Sequence, residues 1–275
     1  MVLLATCGEI AHNTHMAFLE LRYFSDALKK HTTANVILPE VGEPPYPTLY
    51  LLHGLSDDHT AWARNTSIER YAAKLPLIIV MPDGGRGFYL DAVQGFAYGT
   101  AIGTELPDRI ERTFPAKRTR DGRALAGLSM GGYGALRLAL AHPDRFCAAA
   151  SLSGAVGWGH NPVDWAGNPY SPEFQRVFGA HPTGGGADIW HLATALTPEQ
   201  RPAMRFDCGA EDFLFADNQA FHAFLTERGV THEYREYPGE HNWAYWDAHI
   251  EESLRFVLAA MNPETATAPA AISAG

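Results

Sequence analysis

Cysteine is scarce in this chain, with three residues in 275, and the number is odd. Cys147 and Cys208 stand in apolar, strand-like runs where a reduced thiol behaves as a small hydrophobe. A disulfide framework is therefore not expected, and a reducing, cytoplasmic setting is. Basic charge is also short: 21 Lys and Arg against 31 Asp and Glu, a net charge of -10, with no basic block. Nucleic acid or an anionic membrane surface would need a positive patch that this composition does not supply. No run approaches 18 consecutive apolar residues, so no membrane-spanning helix is expected, and the apolar start lacks the basic leader of a signal peptide. Histidines and acids are numerous, yet they form neither an H-E-x-x-H helix pair nor a repeated Cys/His spacing, so no metal is expected. Gly84-Gly85-Arg86-Gly87 lacks the lysine and helix start of a phosphate loop. It reads instead as a glycine turn that carries Phe88, Tyr89 and Asp91 beyond the fourth strand, near the substrate cleft.

Apolar, strand-like runs recur at 18–24, 34–38, 48–53, 77–81, 124–128, 147–152, 204–208 and 231–237. From the third onward, helical patterns at 67–74, 98–113, 132–142, 216–228 and 243–260 fall between or after them. This alternation predicts an α/β fold: one mostly parallel eight-stranded sheet with helices on both faces, preceded by an antiparallel pair. Catalytic groups then belong on loops at the carboxyl ends of strands. The alternation lapses at 155–202, a Gly-, Pro-, Trp- and His-rich stretch between the sixth and seventh strands that reads as a lid insertion. Residues 1–16 read as a flexible N-terminal extension, 17–262 as one domain, and 263–275 as a flexible tail.

Gly127-Leu128-Ser129-Met130-Gly131 lies between an apolar run and a helical pattern, which places the serine at a strand-to-helix turn. Such a nucleophile elbow holds the serine in a strained conformation, and the residues two before and two after it must be small because they crowd together. A plain glycine turn would show the same pentapeptide, but not the strand before and the helix after it.

A serine hydroxyl is a poor nucleophile without a base and a group that orients the base. His241, in Gly239-Glu240-His241-Asn242-Trp243, follows the last strand and is the candidate base among 13 histidines. Asp212 stands just past the seventh strand and is the candidate acid, ahead of Asp207 within the strand, Glu211, and Asp217, which resembles a helix cap. The order Ser129, Asp212, His241 is that of α/β-hydrolases. The backbone N–H groups of Met130 and of Leu55, after His53-Gly54, are the candidate oxyanion donors. His53 reads as an imidazole that fixes this loop. His53, Gly54, Tyr89, Trp158 and Trp243 are candidates to line the substrate pocket. Trp165, Trp190 and Trp246 cluster in the same half of the chain.

Taken together, Tyr50-Leu51-Leu52-His53-Gly54, Val80-Met81-Pro82-Asp83, the Ser129 motif continued through Gly132-Tyr133-Gly134-Ala135, Cys208-Gly209-Ala210-Glu211-Asp212-Phe213-Leu214 and His241-Asn242-Trp243 resemble the esterase D branch of the α/β-hydrolases. Within it, the similarity is closest to bacterial tributyrin-type esterases. The resemblance implies Ser129 as nucleophile, Asp212 as acid, His241 as base, and Leu55 and Met130 as the oxyanion hole. It also implies short-chain acyl esters as substrates, no cofactor, and a homo-oligomer. The loop Leu55-Ser56-Asp57-Asp58-His59 departs from the cysteine-containing loop of S-formylglutathione hydrolases, which weighs against glutathione specificity. Other readings are an acetylxylan or feruloyl esterase, an acyltransferase on the same machinery, or a catalytically silent binding module.

Overall fold

The computed structural model describes residues 16–161 and 170–262. Residues 1–15 of the expected extension, the expected tail and Trp165 lie outside the described residues. Eight strands form one sheet: β1 (Ala17–Ser25), β2 (Lys30–Leu38), β3 (Thr48–Leu52), β4 (Ile78–Pro82), β5 (Arg123–Leu128), β6 (Ala148–Leu152), β7 (Ala203–Gly209) and β8 (Glu233–Tyr237). Their spatial order is β1-β2-β4-β3-β5-β6-β7-β8. β1 pairs antiparallel with β2 and β2 antiparallel with β4, and all later pairs are parallel.

Side-chain alternation splits each central strand between two cores. Tyr50 and Leu52 of β3 and Ile78 and Val80 of β4 face one core; Leu49, Leu51, Ile79 and Met81 face the other. The first core is closed by α3 (Tyr98–Thr100) with the π-helical turn Ala101–Glu105 and α4 (Leu106–Thr113), and by α5 (Met130–Ala141) and α8 (Phe215–Glu227). The second is closed by α1 (Ala61–Asn65), α2 (Ile68–Ala72) and α9 (Trp243–Met261). Among the described residues, no helix is long and apolar enough to cross a membrane.

The single helix expected over 98–113 is interrupted by the π turn. Pro107 has no amide hydrogen and its ring crowds the preceding turn, which a locally widened helix accommodates. The stretch 155–202, expected to lack regular structure, contains α6 (Ser171–Phe178) and α7 (Ile189–Ala195). Both are short, and both are held by apolar anchors, Phe174 and Phe178 in one and Ile189 and Trp190 in the other, that reach the first core. Tertiary packing, rather than local periodicity, stabilises helices of this length.

Candidate active site

β5 delivers the chain to Ser129 with φ 52° and ψ -118°, a conformation that non-glycine residues rarely adopt. The strain is held from both sides: the Ser129 amide donates to the Leu152 carbonyl at 2.9 Å, and the Ser129 carbonyl accepts from Ala155 at 3.1 Å. The turn is tight enough that a Cβ on Gly127 would lie 2.5 Å from the Gly131 carbonyl carbon and oxygen. One on Gly131 would lie 2.4 Å from the Leu52 carbonyl oxygen. Ser129 thus projects at the carboxyl edge of the sheet, and α5 starts with the next residue.

His241 and Asp212 arrive on adjacent loops, after β8 and β7. These loops are fastened together: Ala210 N donates to Tyr237 O at 2.8 Å, Glu211 N donates to Gly239 O at 3.1 Å, and the Glu211 carboxylate accepts the Gly239 amide at 2.5 Å. Asn242 caps α9 by accepting from the Tyr245 amide at 3.1 Å, fixing the chain just past the imidazole. His241 Nδ1 lies 2.8 Å from Asp212 Oδ2, and Nε2 lies 3.0 Å from Ser129 Oγ. The Asp212 side chain is fully buried, and its second oxygen accepts the Leu214 amide at 2.8 Å. Burial pushes the Asp212 carboxyl up, but the hydrogen bonds from His241 and the Leu214 amide outweigh it and hold the group below the usual carboxylate range.

The other acids considered stand elsewhere. Asp207 is buried against Arg205, and its other oxygen accepts from Tyr245 Oη at 2.9 Å, so it belongs to an ion cluster under α9. Glu211 clamps the histidine loop. Asp217 sits in the first turn of α8, whose cap is Leu214, and not at the cap itself.

On the other side of the serine, the loop leaving β3 brings Gly54 against the elbow, where an added Cβ would lie 2.8 Å from Leu128 Cδ1. Among the described residues, the Leu55 amide has no protein acceptor. The Met130 amide opens α5, where first-turn N–H groups lack an intrahelical partner. Both residues border a cavity of about 400 Å³ that also contains Ser129 and His241. Apolar and aromatic side chains build its walls: Trp158 stacked on Phe88 (centroids 5.0 Å apart), and Trp243 set edge-on to Trp246 (5.1 Å). Phe213 lies at the rim, 74% exposed, its ring 4.5 Å from that of His241.

Of the expected pocket residues, Gly54, Trp158 and Trp243 line this cavity, whereas His53 and Tyr89 do not. Both of the latter are buried beneath it, because each is committed to the backbone that shapes the loop: Tyr89 Oη donates to the His53 carbonyl at 2.9 Å, and His53 bonds Gly54 and Gly84. Phe88, expected near the cleft beyond the fourth strand, and Trp246, of the tryptophan cluster, also line the cavity, as does Phe213, which the sequence sets beside Asp212. Phe88 is turned into it by a backbone with φ 50°, which nothing in its side-chain chemistry announces. Trp190 belongs to the packing of the insertion, its indole N–H donating to the Val156 carbonyl at 2.8 Å.

A protein-family model described as "Putative esterase" matches residues 25–257. An acetyl esterase of Caldicellulosiruptor saccharolyticus is 31% identical over 262 residues, covering 88% of this chain and 98% of that protein. Among solved structures, the substrate-bound fluorophosphonate-binding serine hydrolase F of Staphylococcus aureus is 33% identical, with a TM-score of 0.80, covering 88% of this chain and 98% of its own. An S-formylglutathione hydrolase from the same organism is 34% identical, with a TM-score of 0.77, over 89% of this chain and 99% of its own. This chain therefore belongs to the putative-esterase family and is a serine carboxylesterase of the α/β-hydrolase fold.

Proposed function

We propose that the protein hydrolyses short-chain acyl esters through an acyl-enzyme, with Ser129 as nucleophile, His241 as base and Asp212 as the acid that orients it. The observation that carries this reading is the unbroken hydrogen-bonded line from Asp212 Oδ2 through both nitrogens of His241 to Ser129 Oγ. Ser129 Oγ attacks the ester carbonyl while its proton passes to His241 Nε2. The carbonyl oxygen gathers negative charge, which the Leu55 and Met130 N–H groups receive. Collapse of the tetrahedral species breaks the bond to the alcohol, which leaves with the proton from Nε2. Water then repeats the sequence on the acyl-enzyme, giving the acid and free Ser129. Asp212 stays ionised throughout, accepting the Nδ1–H and stabilising the imidazolium.

A short acyl group fits a cavity closed by Phe88, Trp158 and Trp243, and we take residues 155–202 as the lid that contributes Trp158. The named relatives point the same way, since an acetyl esterase and an S-formylglutathione hydrolase release acyl groups of one or two carbons. Acyl chains of about two to six carbons are expected to turn over best. A series of p-nitrophenyl esters from acetate to palmitate tests this, and a maximum at long chains overturns it. A fluorophosphonate probe should label the wild type and not Ser129→Ala, whose turnover should fall about 10⁴-fold or more with the fold intact. Labelling that survives in Ser129→Ala moves the nucleophile elsewhere.

A further inference from the structure

Among the described residues, β1 is one edge of the sheet and pairs with no strand but β2. It is nine residues long, against five for β8 at the opposite edge. Edge strands expose a row of backbone donors and acceptors, and proteins that keep such an edge unpaired usually shorten it, bend it, cover it, or place proline or charged side chains on it. β1 has no proline, and its length is unbroken. It also carries Phe18, Leu19 and Phe24, three of the seven large hydrophobic side chains that are exposed among the described residues. Its inner side is firmly seated. Leu21 and Tyr23 pack on the first core, Glu105 accepts from Ser25 Oγ and the Asp26 amide, and Arg109 donates to the Phe24 carbonyl at 3.2 Å.

The other face presents Phe18, Glu20, Arg22 and Phe24, and this order is self-complementary about Leu21. We propose that β1 pairs with β1 of a second copy of this chain, antiparallel and centred on Leu21, so that two sheets join edge to edge in a two-fold dimer. In this register Glu20 faces the partner's Arg22 and Phe18 faces the partner's Phe24, each pair occurring twice. Charge selects the register. Centring the pairing on Glu20 or on Arg22 would set that residue against its own copy, and a shift by one residue would oppose the core face to the solvent face. At the opposite edge, pairing centred on the midpoint of β8 sets Arg235 against itself, and β8 spans only five residues. In the single chain Arg22 Nε reaches Glu20 Oε1 at 2.6 Å, and both side chains are exposed enough, 76% and 42%, to exchange that contact for the partner's.

The test is sedimentation equilibrium of the full chain, with thermal melts to confirm that each variant is folded. Wild type should be dimeric. Glu20→Arg opposes arginine to arginine and Arg22→Glu opposes glutamate to glutamate, so each alone should raise the dimer dissociation constant about tenfold or more. An equimolar mixture of the two variants should dimerise again, because position 20 of one then meets the opposite charge at position 22 of the other in both pairs. The double variant Glu20→Arg/Arg22→Glu should also dimerise. A monomeric wild type overturns the proposal, including one that dimerises only after removal of residues 1–15, since that segment would then occupy the edge. A dimer indifferent to both single reversals overturns it as well, and so does failure of the mixture to restore association.

Discussion

The His53 ring donates from Nδ1 to the Gly54 carbonyl at 2.7 Å, while its Nε2 accepts the Gly84 amide at 2.8 Å. Accepting at Nε2 fixes the neutral tautomer with its proton on Nδ1. In a trans peptide the C=O and the following N–H point in opposite directions, so holding the Gly54 oxygen also aims the Leu55 N–H. His53→Ala is expected to lower kcat about 10- to 100-fold, short of the loss of an entire oxyanion donor, with KM nearly unchanged. It should also destabilise the fold by about 1–2 kcal/mol, because the buried Gly84 amide loses its acceptor while the Gly54 carbonyl keeps the Asp57 amide. Steady-state kinetics and urea unfolding read the two effects separately.

Asp212 shows its effect through pH. Its carboxyl lies below the ordinary range in the folded protein, so it is charged at neutral pH. Asp212→Asn should lower kcat about 10³- to 10⁴-fold at neutral pH. The sign of the linkage follows: a folded-state value below the unfolded one contributes stability above the ordinary carboxyl range, and that stability is lost as pH falls through the folded value. Melting temperatures of wild type and Asp212→Asn should therefore converge below about pH 4. A gap that widens in acid would contradict the assignment.

Arg86 connects the insertion to the loop that leaves β3. Its Nε and Nη2 grip the Glu173 carboxylate of α6 at 2.6 and 2.8 Å, its Nη1 reaches the Leu55 carbonyl at 3.3 Å, and the guanidinium lies over Tyr170. A double-mutant cycle of Arg86→Ala and Glu173→Ala should give a coupling of about 0.5–1 kcal/mol in stability, since the pair is partly exposed. In kcat/KM the losses should be non-additive, and Arg86→Lys should not rescue them because lysine cannot make the two-pronged contact. Additive losses would mean that the insertion and the loop act independently.

Gly131→Ala tests the tightness of the elbow. Its methyl would meet the carbonyl oxygens of Leu52 and His53 at 2.4 and 2.6 Å, and these are backbone atoms that cannot swing aside. A loss of about 3 kcal/mol is expected, together with a fall in kcat as Ser129 shifts from His241. Gly184→Ala is a control from the insertion: there a Cβ meets no atom within 4 Å, so the cost should come from its positive φ alone.

Much of this architecture is legible from local pattern. The eight strand-like runs correspond to β1–β8, most to within a residue or two; β2 begins at Lys30, four residues before its apolar run, because a hairpin extends pairing through polar residues once its turn is anchored. The Glu105 side chain that anchors the turn lies about eighty positions away in sequence, and no window of the sequence reveals it. The short helices α1, α6 and α7 escape notice for a related reason, since too few turns carry too little periodicity.

The strand-to-helix glycine turn, the order of serine, acid and histidine, and the alternation that puts catalytic loops on one edge of a sheet are determined by the sequence alone, because each depends on backbone sterics and side-chain period over a few residues. Only the tertiary structure decided that His53 and Tyr89 hold the loop from beneath instead of lining the cavity, that Phe213 stands at its rim, and that Arg86 joins α6 to Leu55. Those outcomes depend on which hydrogen-bonding groups meet across long chain separations, and a buried polar group takes whichever partner the packed fold brings within reach.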